Sequence, residues 1–349
     1  MLDTMHNILE KDGGVIVKNV DLSPLKGKSI LITGATGLIG MNIVASLKAL
    51  CKKSDGPKKI VCAVHSPILN LKESIFNFPE IEIASGDLSE GINFLNIYGA
   101  FDFIIHAAGY GQPGKFMSDP VKTLKLNTST TLQLFDLLKP SGNFLFLSTS
   151  ELYSGLDFSP HRETDIGNTN TYHQRGCYIE AKRCGEAICC AFSSQGYSAR
   201  SARVALSYGP GTKLDDHRVI NQFIQRAINE GEISLMDMGE AKRTYCYVSD
   251  TVEILWNILL YGVAPVYNVG GHSRTTIAEL AKSIGKILDV PINFPKLEKN
   301  MSDAPLDVSL DMTLVESEFN KNKYVSLGSG LKATIDYQKS LYVTSGEEN

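Results

Sequence analysis

Short apolar runs recur along residues 28 to 203, near 29–33, 59–64, 81–84, 101–106, 143–148 and 198–204, with amphipathic stretches between them. Runs of that length, rich in β-branched residues, read as buried strands. The intervening stretches carry apolar residues at helical spacing. Strands alternating with helices predict an α/β fold: a parallel sheet with helices on both faces. Beyond 204 the pattern changes. Val219–Asn229 predicts a helix with Val219, Phe223, Ile224 and Ala227 on one stripe, and helices follow at 251–261 and 276–288. Residues 266–271 predict a strand ending in a turn. The first 27 residues read as an added arm, with a helical turn at 5–10, a short strand at 15–17 and a loop at 22–25. The polar, turn-rich stretch 158–176 predicts a loop over the mouth of a site. The expected organisation is an arm (1–27), an α/β domain (28–203), a smaller C-terminal lobe (204–343) and a flexible tail (344–349).

The first strand runs directly into Gly34-Ala35-Thr36-Gly37-Leu38-Ile39-Gly40, and an amphipathic segment from Met41 follows. Strand, glycine turn and helix is the context of a dinucleotide-binding motif. Gly34 permits the tight turn, Gly37 a close approach to a pyrophosphate, and Gly40 close packing of helix on strand. The free N–H groups around Thr36, Leu38 and Ile39 face the phosphates.

Tyr178 and Lys182 stand four apart in a predicted helix, so their side chains leave one face. A phenol with pKa ~10 keeps its proton near neutrality, and an ammonium one turn away favours the phenolate. The pair is a candidate general acid/base for a hydroxyl.

Bulk properties narrow the field. Apolar content of 43% supports a buried core, and a formal charge of −4 without basic runs argues against nucleic acid. No apolar stretch reaches the ~18 residues of a membrane span, and the N-terminus lacks a signal-peptide pattern. A cytoplasmic protein is expected. Seven cysteines without Cys-x-x-Cys, and scattered histidines, predict reduced thiols and no metal site.

The three-and-three glycine spacing followed by Tyr-x-x-x-Lys resembles the extended short-chain dehydrogenase/reductases, the epimerase/dehydratase group, from about Lys28 to about Lys339. Phe101-Asp102-Phe103-Ile104-Ile105-His106-Ala107-Ala108-Gly109 resembles its fourth strand, and Gly86-Asp87-Leu88 its adenine contact. Phe144 to Tyr153 resembles its fifth strand with the catalytic Ser/Thr. The resemblance implies a Rossmann-type NAD-binding domain and a smaller substrate lobe. Its cofactor contacts would be Gly34, Thr36, Gly37, Leu38, Ile39, Gly40, His65, Asp87, Leu88, Ala107, Ala108, Tyr178 and Lys182. It also implies a nucleotide-sugar substrate and a homodimer through helices 120–138 and 178–194. The broad apolarity of those helices is equally met by burial within one subunit.

The implied chemistry starts with oxidation at the sugar C4, with Tyr178 as base, Thr149 aligning the hydroxyl and Lys182 supporting Tyr178. Ser150 and Glu151 follow Thr149 and face the C5–C6 region. Segments around Asp119 to Asn127, Cys177 to Arg183 and Asp215 to Ile224 resemble the UDP-glucuronate decarboxylases, with Lys125, Asn127, Arg218 and Arg243 as substrate contacts. An arginine fork suits carboxylate or phosphate. A 4,6-dehydratase or 4-epimerase outcome stays open. Leu206 stands where the family keeps an Asn, Gly211 where the decarboxylases have Arg, and the segment after His106 differs. The second strand ends in His65-Ser66 instead of an acidic residue, so NAD is expected with NADP open.

Overall fold

The computed structural model describes residues 2–65, 68, 75–295 and 307–346. In chain order the elements begin with α1 (Leu2–Asn19), β1 (Ser29–Thr33), α2 (Leu38–Cys51), β2 (Lys59–Val64), β3 (Ile81–Ser85) and β4 (Phe101–His106). Then come α3 (Pro113–Ser118), α4 (Pro120–Asn127), α5 (Ser129–Leu134), β5 (Leu138–Thr149), α6 (Gly176–Ser194) and β6 (Ser198–Val204). The second half holds β7 (Leu206–Tyr208), α7 (Val219–Asn229), β8 (Ile233–Ser234), β9 (Lys242–Tyr247), α8 (Val248–Tyr261) and β10 (Val266–Val269). It closes with β11 (Ser273–Thr276), α9 (Ile277–Leu288), β12 (Ile292–Asn293), β13 (Asp307–Val308), α10 (Thr313–Phe319) and α11 (Leu327–Gly346).

A seven-stranded sheet of order β10-β6-β5-β4-β1-β2-β3 carries the fold, and each of its pairings is parallel. Apolar residues fill both faces. One layer lies under α1, α2 and α8, with Ile43, Leu47, Ile254 and Trp256 buried; the other, with Leu126, Leu134, Phe144 and Cys189, lies under α4 to α6. The sheet order reverses between β1 and β4, which opens a crevice at the carboxyl ends of these strands. A third core, with Phe223, Ile224, Leu280 and Ile284, belongs to the small lobe.

Three expectations are revised, over residues 15–17, 22–25 and 120–138. Residues 15–17 are not a strand; they lie in α1, an 18-residue helix. Gly13-Gly14 argues against a helix on propensity, at ~1 kcal/mol per glycine. Packing reverses that: a Cβ on Gly13 would lie 2.5 Å from the Ala45 carbonyl oxygen of α2, so glycine lets the helices touch. Leu9, Ile16 and Val20 bury the same face, and residues 23–25 form a turn of 3₁₀ helix instead of a loop.

The single helix expected over 120–138 is broken at Thr128 (φ −117°, ψ −81°). Thr128 and Ser129 hydroxyls bond back to the carbonyls of Leu124 and Lys125, which bends helices. The lobe boundary at 203/204 has an exception, since β10 joins the main sheet beside β6 and α8 covers it. Of the expected flexible tail, residues 344–346 end α11, and 347–349 lie outside the described residues.

Candidate active site

β1 delivers the chain into the glycine turn. Gly34 has φ +69°, and a Cβ there would lie 2.6 Å from the Ala107 carbonyl oxygen at the end of β4. A Cβ on Gly40 would lie 2.3 Å from the Gly34 carbonyl oxygen, so both glycines are required sterically. Gly37 caps α2, and its carbonyl accepts the first helical bond from Met41. The end of β4 is pinned by a buried histidine: His106 Nε2 donates to the Leu126 carbonyl (2.9 Å), while Nδ1 faces the Thr33 hydroxyl (2.7 Å). Burial lowers His106 to about 3, so it stays neutral. Thr33 also accepts from the Ala108 N–H, which fixes the 106–108 corner.

These elements wall a cleft of about 460 Å³. Gly34, Thr36, Gly37, Leu38, Ile39, Gly40, His65, Asp87, Leu88, Ala107 and Ala108 all line it, so the expected cofactor residues converge. A backbone cradle that any side chain would fill, at a helix N-terminus, fits a dinucleotide pyrophosphate. Burial opposes the charge on Asp87. An ion pair with Lys122 (2.7 Å) and bonds from Ser89 outweigh it and hold the carboxyl at about 2. His65 stands exposed, 3.7 Å from Asp87, and Ser66 lies outside the described residues.

Thr149 ends β5, and Tyr178 and Lys182 leave the first turns of α6, all into the same cleft. The Thr149 hydroxyl and the Tyr178 phenol face the same cleft, and Thr149 favours the charged form of the phenol. Phe116 stacks on the Tyr178 ring (centroids 4.4 Å apart, planes at 3°). Lys182 Nζ donates to the Leu147 carbonyl (2.6 Å) and sits 5.9 Å from the Tyr178 ring centre.

The expectation that Lys182 pulls the Tyr178 pKa down is revised. Burial dominates both groups, pushing Tyr178 up to about 12 and Lys182 down to about 7. Thr149, Arg175 and Arg218 favour the phenolate, Glu151 opposes it, and Glu186 supports the Lys182 charge.

Ser150 and Glu151 enter the cleft on the 3₁₀ turn after Thr149. Burial raises Glu151, and its ion pair with Arg175 counters that. Arg218 lines the cleft with its guanidinium forked onto Asp216 (Nε to both carboxylate oxygens at 3.0 Å).

Three expected substrate contacts are not brought to the cleft. Lys125 turns outward to Glu90 (3.2 Å), because the helix period points Lys122 and Leu126 inward instead. Asn127 is fully buried behind the wall and donates to the Thr123 carbonyl. A methyl on Gly109 would sit 3.6 Å from Asn127 Oδ1 and 3.5 Å from Lys182 Nζ, so Asn127 backs the site instead of lining it. Arg243 lies on β9 opposite Thr275 and Val308 and does not line the cleft.

Sequence reasoning missed Lys122, Asp216, Arg175 and Phe116. Lys122 was legible as the residue one turn before Leu126, and Asp216 as the acidic neighbour of Arg218. Arg175 was legible as the residue three before Tyr178, whereas Phe116 carries no local signal, since its contact with Tyr178 comes from a separate part of the chain. Among the described residues, no His, Cys, Asp or Glu cluster is placed to hold a metal, and no helix is long and apolar enough to cross a membrane.

The parallel sheet, the glycine cradle and the Tyr178–Lys182 pair in one cleft define a dinucleotide-binding α/β protein. The model of the NAD dependent epimerase/dehydratase family matches residues 30–270. UDP-glucuronic acid decarboxylase 1 of Arabidopsis thaliana is 31% identical over 311 residues, 88% of this chain and 68% of that protein. UDP-glucuronic acid decarboxylase 6 of the same plant is 30% identical over 307 residues, 86% of each. Among solved structures, the epimerase Mth375 of Methanothermobacter thermautotrophicus superposes with TM-score 0.79 at 19% identity, covering 97% of each chain. MoeE5, in complex with UDP-glucose and NAD, superposes with TM-score 0.73 at 19% identity, covering 90% of this chain and 99% of that one. The chain therefore belongs to the NAD-dependent epimerase/dehydratase family, and within it is similar in sequence to UDP-glucuronic acid decarboxylases.

Proposed function

We propose that the protein oxidises C4 of UDP-glucuronate and decarboxylates the product. The observation that carries this reading is the meeting of Thr149, Tyr178, Lys182 and the glycine turn in one cleft, in a chain about 30% identical to UDP-glucuronic acid decarboxylases. NAD, when bound against the glycine turn, supplies the hydride acceptor. Tyr178 takes the proton of the C4 hydroxyl, and Thr149 aligns that hydroxyl. Lys182 holds its ammonium near the phenolate and toward the cofactor ribose. The 4-keto sugar is then a β-keto acid: its C5–carboxylate bond breaks, CO2 leaves, and the electron pair enters an enolate that is reprotonated at C5. Glu151, at the same edge of the cleft, is the candidate to guide that proton. Arg218, anchored on Asp216, brings a positive charge to the cleft wall for the substrate's anionic groups. Lys125, Asn127 and Arg243 are not part of this assignment.

A 4,6-dehydratase or 4-epimerase acting on another nucleotide sugar is the second reading. It is supported by Leu206, which lines the cleft where the family keeps an Asn, and by the changed segment after His106, whose Tyr110 and Gln112 also line it. Exposed Val121 (63%), Leu124 (39%) and Leu132 (49%) on α4 and α5 support pairing of two copies. Incubation with UDP-glucuronate should release CO2 with UDP-xylose or the 4-keto pentose, followed by mass spectrometry. No CO2 from UDP-glucuronate, with an alkali-detected 4-keto product from another nucleotide sugar, would transfer the assignment to the second reading.

A further inference from the structure

Burial disfavours the Tyr178 phenolate, so the charges around it matter more than they would in water. Lys182 is itself buried and turned onto the Leu147 carbonyl. Arg218 is compensated by Asp216 (2.5 Å). Glu151, on the turn after β5, brings a negative charge to the same end of the cleft, with His173 as a further neighbour. Arg175 precedes α6 by one residue, three before Tyr178, so the two side chains share a face. Its guanidinium forms an ion pair with Glu151 and lies over the ring of Phe116 (5.7 Å to the centre), which also stacks on the Tyr178 ring. Arg175 Nε is buried and without a hydrogen-bond partner among the described residues, so the side chain is held by the Glu151 pair and the ring.

We propose that Arg175 is a positioning residue that tethers Glu151 and cancels its charge beside Tyr178, so that the tyrosine is able to lose its proton. The idea rests on the assignment of Tyr178 as the base. Arg175 touches no reacting atom; it acts through Glu151 and Phe116. Glu151 alone would oppose the phenolate, while the Glu151–Arg175 pair presents little net charge. The tether is the single Nη2 contact to the Glu151 carboxylate, and the positive charge supplies the cancellation.

The test uses the full chain with [13Cζ]tyrosine, read by NMR across pH, with the Tyr178 resonance identified by its loss in Tyr178→Phe. Arg175→Gln is expected to make Tyr178 roughly tenfold less acidic, and Glu151→Gln roughly tenfold more acidic. The double variant returns near the parent, and Arg175→Lys, which keeps the charge, stays close to it. A purely structural Arg175 would give the double variant no return toward the parent, whatever Glu151→Gln does alone. Identical titrations in all four proteins, or a double variant matching Arg175→Gln, overturn the proposal. The readout needs no substrate, so it stands apart from the function assay: an absence of turnover on any nucleotide sugar strikes the functional reading alone.

Discussion

Arg203 and Glu186 form a fully buried ion pair behind the active site, and removing one member is expected to be costly in a calculable way. Arg203 is 5% exposed and Glu186 6%. Arg203 Nε and Nη2 fork onto the two Glu186 oxygens at 2.9 and 2.8 Å, and the Ser148 hydroxyl donates to the same carboxylate at 2.5 Å. Arg203 Nη1 also donates to the Tyr153 hydroxyl and to the carbonyls of Glu163 and Asp165. The network therefore ties β5, β6, α6 and the 158–176 loop together. Glu186→Ala leaves a guanidinium buried without its counter-charge, a loss of about 3–5 kcal/mol. At ~2.1 cal/mol/K per residue, 349 residues give an unfolding entropy near 0.7 kcal/mol/K, so Tm falls by about 4–7 °C. Glu186 also stands one turn after Lys182 and favours its charge, so the variant should push Lys182 below about 7. Adding Arg203→Met removes the orphaned charge, and the double variant should recover most of the lost Tm. Scanning calorimetry on the parent, both singles and the double measures this directly. A Glu186→Ala melt within about 1 °C of the parent, or a double variant that melts lower than either single, would refute the reasoning.

Three further outcomes follow from the same geometry. Gly40→Ala forces a methyl to 2.3 Å from the Gly34 carbonyl, so NAD retention measured by tryptophan quenching or co-purified nucleotide should fall at least ~10-fold, while Gly14→Ala, facing open space, should not change it. Tyr178→Phe should lower turnover by about 10²–10⁴-fold with the fold and NAD retention intact, measured by product formation and circular dichroism. Burial raises Asp12 to about 6 from 3.8, against the bond from the Tyr247 hydroxyl (2.7 Å). A raised acid favours folding fully below pH ~4 and loses that contribution as pH climbs through about 6, an effect of roughly 2–3 kcal/mol. Asp12→Asn should therefore gain on the parent between pH 4.5 and 7.5 in urea unfolding, and a stability difference that does not vary with pH would sink that assignment.

Much of the site was legible because its signals are local. A strand, a glycine turn and a helix are contiguous, so Gly34, Gly37 and Gly40 announce a cradle without knowledge of the rest of the chain. Tyr178 and Lys182 share a face through helix geometry alone. The substrate contacts were less legible. Lys125 and Lys122 lie in one helix, and which of them faces the cleft depends on the helix's rotation, which Leu126 and Asn127 set by burying. Arg243 depends on where β9 pairs, a long-range matter.

The chain by itself determined the parallel sheet and its six leading strands, because hydrophobic period and turn chemistry are properties of neighbouring residues. It also determined the glycine cradle and the shared face of Tyr178 and Lys182. Only the tertiary structure decided that α1 is a helix despite Gly13-Gly14, that β10 returns to the sheet, and that Arg175 meets Glu151. It also decided the balance of charge at Tyr178: spacing brings the lysine near, but desolvation is a property of the closed interior, and there it outweighs proximity.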